Sequence, residues 1–310
     1  MARQQSNSKV VRRNAPRRTR PPRFERVLVA VDFSRASSRA LTRAMSLPLL
    51  ETATLRVLHV LPRALPPPLD REGEAVAHQR IAGAAALRRR RMPGLDGLTV
   101  ESDVIRGDSP DAIVRRARHA GSELIVLGRS GLLTGARSGL GSTARSVARR
   151  GSIPVLVVGS RGGRGYRRPL VALTPEHESG DALRLAERLA PAARAIGVAH
   201  ACDVPYDALF RRAGLDLDLA RHRREVLARA RREVTGYLRT VRRLTTPLRV
   251  TVECGSARDV VLESARTHGA DLIALGANGR RSGVGRLLLG SVAEDVLRRA
   301  RCDVVVTRPE

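Results

Sequence analysis

Short continuous runs of β-branched and aliphatic residues recur along the chain, each followed by a stretch in which apolar positions return every three or four residues. Val27 to Val31 opens the series. A run of this kind, without polar alternation, predicts a strand buried on both faces. After Asp32-Phe33-Ser34 the spacing predicts a helix over 37–50, a strand over 55–60 and a long helix around 72–91. A strand over 98–105, a helix over 109–120, a strand over 124–127, a glycine-rich loop, a helix over 142–150 and a strand over 155–158 follow. Strands that alternate with helices in this way predict an α/β domain, a parallel sheet with helices on both faces.

The pattern then starts again. Residues 161–168, rich in Gly and Arg, read as a linker, and Leu170-Val171-Ala172-Leu173 reopens the series. A strand around Gly197 to His200 places His200 where His59 stood, and a long helix over 217–244 precedes a strand over 248–253. A helix over 257–268, a strand over 272–275, a helix over 291–299 and a last strand over 304–306 complete it. Gly107, Gly121, Gly128 and Gly131 recur 148 positions later as Gly255, Gly269, Gly276 and Gly279. The chain is thus divided into a tail over 1–22, a first domain over 23–160, a linker over 161–168 and a second domain over 169–310. Each domain ends in an apolar strand with no charge to protect an edge, and exposed edges of that type seek a partner. The two final strands are therefore expected to meet across an intramolecular pseudo-two-fold axis.

Composition narrows the function. The 310 residues include only 2% Phe, Trp and Tyr, so the core is aliphatic and base stacking on aromatic platforms is not the mode of action. No apolar run reaches the ~18–20 residues of a membrane span, and the expected location is cytoplasmic. The net charge is +27, and Lys9 is the only lysine among 57 basic residues. The excess is spread, +7 in residues 1–22 and +10 in each remaining half, which is weaker support for nucleic-acid recognition than a basic stripe would be. The tail, proline- and arginine-rich, has too little apolar content to offset its ordering entropy and is expected to be a disordered basic arm. Cys202, Cys254 and Cys302 lie near 50 residues apart. That spacing fits neither a disulfide framework nor a zinc site, and they read as reduced, buried residues.

The sharpest chemical signal is Leu127-Gly128-Arg129-Ser130-Gly131, followed after nine residues by Gly141-Ser142-Thr143 at a helix start. Glycines after a strand permit positive φ and close backbone approach, and Ser142 is expected to cap a helix whose free N–H groups favour an anion. The second copy repeats the arrangement as Gly276-Ala277-Asn278-Gly279 and Gly290-Ser291, a possible second phosphate site. The spacing matches neither a Gly-x-x-x-x-Gly-Lys loop nor a Gly-x-Gly-x-x-Gly dinucleotide fingerprint. Asp32 ends the first strand, where a carboxylate could accept from ribose hydroxyls, hold Mg²⁺ on phosphates, or simply cap the next helix. His59 and His200 occupy equivalent interior positions and read as satisfied core groups. No nucleophile–base pair or metal-ligand cluster is legible.

These residues resemble the universal stress protein family in its tandem form, over 24–308. The resemblance rests on Asp32-Phe33-Ser34, Leu58-His59-Val60, both glycine loops, and Arg286 to Ala293. It implies a five-stranded sheet in the order 3-2-1-4-5 in each domain and an ATP or AMP ligand without a catalytic residue. Ala30, Val31 and Asp32 would line the adenosine side and the Val60 backbone would meet adenine. Leu127, Gly128, Gly131, Gly141, Ser142 and Thr143 would hold ribose and phosphates. The second copy reads Leu173-Thr174-Pro175 where Asp32 stood, so its nucleotide site is degenerate and its role structural or regulatory. The competing readings are an arginine-rich polyanion or nucleic-acid binder with a vestigial site, and a slow ATPase. The candidate partners are an adenine nucleotide, the other repeat, a second copy of the chain and, nonspecifically, nucleic acid.

Overall fold

The computed structural model describes residues 9–11, 22–64, 69–91, 96–131, 139–159, 165–175, 177–205, 212–214, 216–241, 244–277 and 289–308. A short strand β1 (Lys9–Val11) comes first. The first repeat builds β2 (Phe24–Ala30), α1 (Arg35–Met45), β3 (Leu49–Leu61), α2 (Leu69–Arg91), β4 (Thr99–Arg106), α3 (Ser109–His119), β5 (Leu124–Gly128), α4 (Ser142–Arg150) and β6 (Val155–Val158). The second builds β7 (Pro169–Ala172), α5 (His177–Leu189), β8 (Ile196–Cys202), α6 (Asp216–Thr240), β9 (Leu248–Cys254), α7 (Ala257–His268), β10 (Leu272–Gly276), α8 (Ser291–Arg299) and β11 (Asp303–Thr307).

Within each repeat the strands are parallel and ordered 3-2-1-4-5, as β4-β3-β2-β5-β6 and β9-β8-β7-β10-β11. The final strands β6 and β11 pair antiparallel, with Val157 opposite Val304, Leu156 opposite Val305 and Val155 opposite Val306. The expected meeting of the two final strands is thus present, and this ladder joins the two five-stranded sheets, with β1 at one edge, into one mixed eleven-stranded sheet. The central strands β5, β6, β10 and β11 are buried on both faces, as their apolar runs require, whereas β4 at the edge has no fully buried residue. Val27, Val29 and Leu55 pack toward Leu41, Met45 and Ile81, in a cluster that continues across the joint to Leu183 and Val234. Leu28, Ile125 and Val157 face the opposite side with Ile113, Val147, Val296 and Val304. Hence α1, α2, α5 and α6 cover one face, and α3, α4, α7 and α8 the other.

Three expectations need correction. The helix expected over 37–50 ends at Met45, and β3 already begins at Leu49. Pro48 explains the early stop: it cannot continue a helix and biases Leu47 toward extended backbone, and its carbonyl accepts from Phe24 N at 2.9 Å. Lys9–Val11, inside the tail expected to lack order, pairs antiparallel with β9. That strand would otherwise be an open edge, and two β-branched residues, Val10 and Val11, suit the ladder. The rest of the tail reading lies outside the described residues, apart from Pro22. Third, the long helix expected to run to 244 stops at Thr240.

The repeats are also joined by buried polar contacts. Asp303, fully buried, receives Arg43 Nε from α1 at 2.8 Å, the Tyr166 hydroxyl at 2.7 Å and the Gly159 N–H at 3.0 Å. The Arg43 guanidinium also lies over the Tyr166 ring, 4.3 Å from its centroid. Tyr166 belongs to the segment expected to be a linker, yet it is 1% exposed. On the other flank, Arg188 of α5 bonds Glu123 at 2.5 Å and covers the Phe24 ring at 3.8 Å. Burial opposes ionisation of Glu123, but bonds from Arg188 and from the Arg26 and Glu25 N–H groups more than offset it, so its carboxyl titrates below the usual range.

Burial, and then the neighbouring Asp303 carboxylate, hold the Tyr166 phenol well above its ordinary range. The folded chain therefore keeps this proton more tightly than the unfolded chain. Stability is accordingly expected to be insensitive to Tyr166 below pH about 10, the free phenol value, and to fall as pH rises beyond it. Urea unfolding midpoints taken between pH 8 and 11 should show this decline in the parent chain and a flatter profile in Tyr166→Phe.

Candidate functional site at the switch point of the first repeat

The chain leaves β2 toward β3 on one side and returns to β5 on the other, so β2 and β5 flank the point where strand order reverses. Ligands of open α/β sheets bind outside the carboxyl ends of such strands. Val29 is opposite Val126 in this ladder, which brings Asp32 and Gly128 to the ends of neighbouring strands.

Asp32 Oδ1 accepts from the Ser34 N–H at 3.0 Å. Ser34 rather than Asp32 is the N-cap of α1, its hydroxyl oxygen accepting from Ser37 N at 3.1 Å. Between them Phe33 adopts φ 62°, and it is the non-glycine residue with positive φ among the described residues. For a bulky residue that conformation costs about 1–3 kcal/mol. It is held by the His59 ring, 4.6 Å between centroids, and by the Arg80 guanidinium 4.6 Å from the Phe33 centroid. His59 in turn donates from Nδ1 to the Val31 carbonyl at 2.8 Å, and His200 does the same to Leu173 at 2.8 Å. Both histidines are satisfied structural groups, as expected.

The glycine loop is clamped at its base. Arg129 N donates to Val158 O at 3.0 Å, and Gly141 N donates to Arg129 O at 2.8 Å. The second repeat reproduces the pair, Ala277 N to Thr307 O at 2.8 Å and Gly290 N to Ala277 O at 2.7 Å. Gly141 and Gly290 are the N-caps of α4 and α8, with φ near −65° and −62° and no side-chain cap bond. This corrects the expectation for Ser142: it is the first helical residue and exposed, and the N-cap of α4 is Gly141, which makes no side-chain cap bond. Ser291 stands likewise at the start of α8.

Gly128 and Gly141 serve close approach rather than positive φ. At Gly128 an added Cβ would lie 2.7 Å from the Ala36 carbonyl carbon and 2.9 Å from Ser37 N, so β5 ends hard against the first turn of α1. At Gly141 it would lie 3.3 Å from Arg129 O and 3.5 Å from Gly131 N, which shows how tightly the loop closes on the helix start. Left-handed backbone appears instead at Gly121 and Gly269, φ 59° and 60°, where α3 and α7 end. Gly128→Ala is expected to destabilise the chain by about 1–3 kcal/mol through this overpacking, read from its urea midpoint.

The remaining site residues fall around this centre. Ala30 closes β2, Val31 is buried, and half-buried Val60 sits near the end of β3 opposite Ile105. Leu127 is 3% exposed and packs into the core on the α3 and α4 side. Thr143 is half-buried beside exposed Ser142. In the second repeat Gly276, Gly290 and Ser291 hold the equivalent positions, while Gly279 lies outside the described residues. There Thr174 N donates to Ser179 Oγ at 3.0 Å, so the turn that carries Asp32 in the first repeat is organised without a carboxylate.

Sequence reasoning missed two features. Arg129, within the loop, does not point at a ligand: its guanidinium bonds the Ala300 carbonyl and, at 2.9 Å, the Cys302 carbonyl of the second repeat. A cavity of about 320 Å³ opens between α1 and α2, with Val31, Phe33, Leu41 and Ile81 as apolar walls and Arg80 and Arg88 beside them. Of the expected site residues only Val31 lines it, and the first turn of α1 separates it from Gly128. Arg88 of α2 bonds Ser38 O at 3.0 Å and Thr42 Oγ1 at 2.9 Å across this gap. Among the described residues no group of three or more His, Cys, Asp or Glu could hold a metal ion, and no helix is long and apolar enough to cross a membrane.

Comparison with known proteins identifies the family and the fold. The model of the universal stress protein family matches residues 23–159 and again 165–308. Universal stress protein Rv2005c of Mycobacterium tuberculosis is 29% identical over 305 residues, spanning 94% of this chain and 99% of that protein. A universal stress protein from Archaeoglobus fulgidus superposes with a TM-score of 0.61 at 19% identity, covering 91% of this chain and 98% of that one. A functionally unknown protein, PA1789, from Pseudomonas aeruginosa PAO1 superposes with a TM-score of 0.57 at 17% identity, covering 92% and 93%. With two matches that together take in nearly all of the sequence outside the tail, the chain belongs to the universal stress protein family as a tandem member.

Proposed function

We propose that the first repeat binds one adenine nucleotide, ATP or AMP, and that the second repeat is a structural or regulatory partner without an equivalent site. The reading rests chiefly on the clamped glycine loop at the switch point. Gly141 draws the loop onto the start of α4 and, as its N-cap, has no side chain to occupy the leading N–H groups, and the helix dipole adds to their attraction for a phosphate. Asp32, on the neighbouring strand end, is the carboxylate suited to ribose hydroxyls. It is a single carboxylate, so any Mg²⁺ would arrive with the phosphates rather than be held by the protein alone.

The asymmetry between repeats supports one site per chain, because Thr174 and Pro175 replace the Asp32-Phe33 pair. We read the protein as a binder rather than an enzyme. The arginine content has an internal use that weakens the polyanion reading: Arg26, Arg43, Arg88, Arg129 and Arg188 all bond backbone or side-chain groups within the molecule.

Equilibrium binding of radiolabelled ATP, AMP and cyclic AMP tests the proposal. Asp32→Ala is expected to weaken the bound nucleotide by about 1–3 kcal/mol through a lost charge-assisted hydrogen bond. Gly131→Val should abolish binding while the far-ultraviolet spectrum stays native. Unchanged affinity in both folded variants would reduce the loop to a connector.

A further inference from the structure

The second repeat carries a feature that the first lacks. Cys202 closes β8 and Cys254 closes β9, and the two are direct partners in the parallel ladder. Their Sγ atoms lie 3.2 Å apart, and both are free thiols. Neighbouring strands run about 4.7–4.9 Å apart, inside the Cα span of about 4.4–6.8 Å that a disulfide requires. The sulfurs need to close by roughly 1.2 Å to reach a bond of about 2.05 Å. The corresponding partners in the first repeat are Leu61 and Arg106, which cannot be oxidised together.

The environment of the two thiols differs. Cys202 is 8% exposed, whereas Cys254 is half-buried and meets solvent first. Burial, and then the hydrogen bond with Cys254, push the Cys202 thiol up to about 12, which suits it to the resolving rather than the attacking role. Cys302 is buried in the core on the other face of the sheet from Cys202, away from the Cys202–Cys254 contact, so it is an internal reference.

We propose that Cys202 and Cys254 are a modification site: an oxidant of the hydroperoxide class converts them to an intramolecular disulfide that ties together the carboxyl ends of β8 and β9. Cys254, as thiolate, attacks the peroxide oxygen; the O–O bond breaks, Cys254 becomes a sulfenic acid and the departing oxygen leaves as water after taking a proton. The Cys202 sulfur then gives up its proton and displaces hydroxide from the Cys254 sulfur, which leaves as a second water. Two thiols lose two electrons and one hydrogen peroxide gains them. A thiol reductant reverses the exchange.

The position gives the bond a structural consequence. Ala201, next to Cys202, is the counterpart of Val60 at the mouth of the first repeat, and Gly255 N, next to Cys254, donates to Cys202 O at 3.0 Å. Oxidation would therefore stiffen the mouth of the second repeat at the turn leading into α7 while leaving the first repeat chemically unchanged. The inference does not depend on nucleotide binding.

The test uses the full chain exposed to hydrogen peroxide, with thiols then counted in denaturant and peptides mapped by mass spectrometry. The expected result is a fall from three titratable thiols to one, a Cys202–Cys254 cross-linked peptide with a mass loss of two hydrogens, a monomeric band without reductant, and recovery of three thiols with dithiothreitol. Cys254→Ser should keep both remaining thiols, and Cys302→Ser should fall from two to none. Slower amide hydrogen exchange over 197–205 and 248–256 in the oxidised chain is expected. The proposal is overturned by three persistent thiols, by a cross-link that involves Cys302 or a second chain, by stable over-oxidation of Cys254 without a disulfide, or by unchanged exchange. Should a variant fail to fold, the peptide map of the unsubstituted chain decides alone.

Discussion

Replacing Asp303 with alanine is expected to cost the fold about 3–5 kcal/mol, the range for breaking a buried ion pair from one side. Its carboxylate is fully buried and gathers three donors from separate parts of the chain: Arg43 on α1, Tyr166 ahead of β7, and the Gly159 N–H just after β6. The Arg43 side chain is itself only 6% exposed. Without this carboxylate a buried guanidinium loses its counter-charge, while a phenol and a backbone N–H lose their acceptor. Since water cannot reach them at no cost, the penalty exceeds the modest net value of each bond. Arg43→Met combined with Asp303→Leu should recover most of the loss, because a packed apolar pair carries no stranded charge. Urea unfolding of the three variants checks this, and a loss below about 1 kcal/mol in Asp303→Ala would place the stability of the joint elsewhere.

The second large effect concerns the joint itself. Val157 is fully buried, with Leu127 on one side of it in the ladder and Val304 on the other. Val157→Asp would introduce a carboxylate with no facing donor, at a cost of about 4–5 kcal/mol when lost packing is added to desolvation. The strands on either side would still find most of their contacts within their own repeat, so the damage should fall on the union. Calorimetric unfolding is expected to split into two transitions, and light scattering to reveal association through the freed β6 and β11 edges. A single transition displaced by only a degree or two would mean that the antiparallel ladder is not what holds the repeats together.

Both predictions depend on contacts that no local pattern announces. The apolar runs were sufficient for the central strands, β2, β5, β6, β7, β10 and β11, because buried parallel strands carry that signature in consecutive residues. The recurrence of glycines at a fixed offset disclosed the duplication, and unprotected final strands pointed to the β6–β11 contact. Failures cluster where the deciding partner is distant or the local signal is ambiguous. Leu47 to Leu50 extend the helical apolar pattern of α1, and only Pro48 contradicts it. Nothing near Asp303 suggests Arg43, 260 residues away, and nothing near Arg129 suggests the carbonyls of Ala300 and Cys302.

The same holds within the site. Glycine spacing was enough to find the loop, because its purpose is local: to bring Gly141 onto Arg129. It was not enough to tell close packing from positive φ. Gly128 is required by the first turn of α1, and the unusual backbone falls on Phe33, whose ring contacts come from His59 on β3 and Arg80 on α2. Cys202 and Cys254, 52 residues apart, seemed unrelated until strand register set them side by side.

The two repeats share one architecture, and we propose that they divide its use, with a nucleotide held only where Asp32 and the clamped loop occur together. Titration calorimetry of the full chain with ATP and with AMP tests this most directly. The predicted result is one nucleotide per chain, a stoichiometry that Thr174→Ala leaves intact and that Asp32→Ala weakens. Two equivalent sites, or a single site insensitive to Asp32, would contradict it.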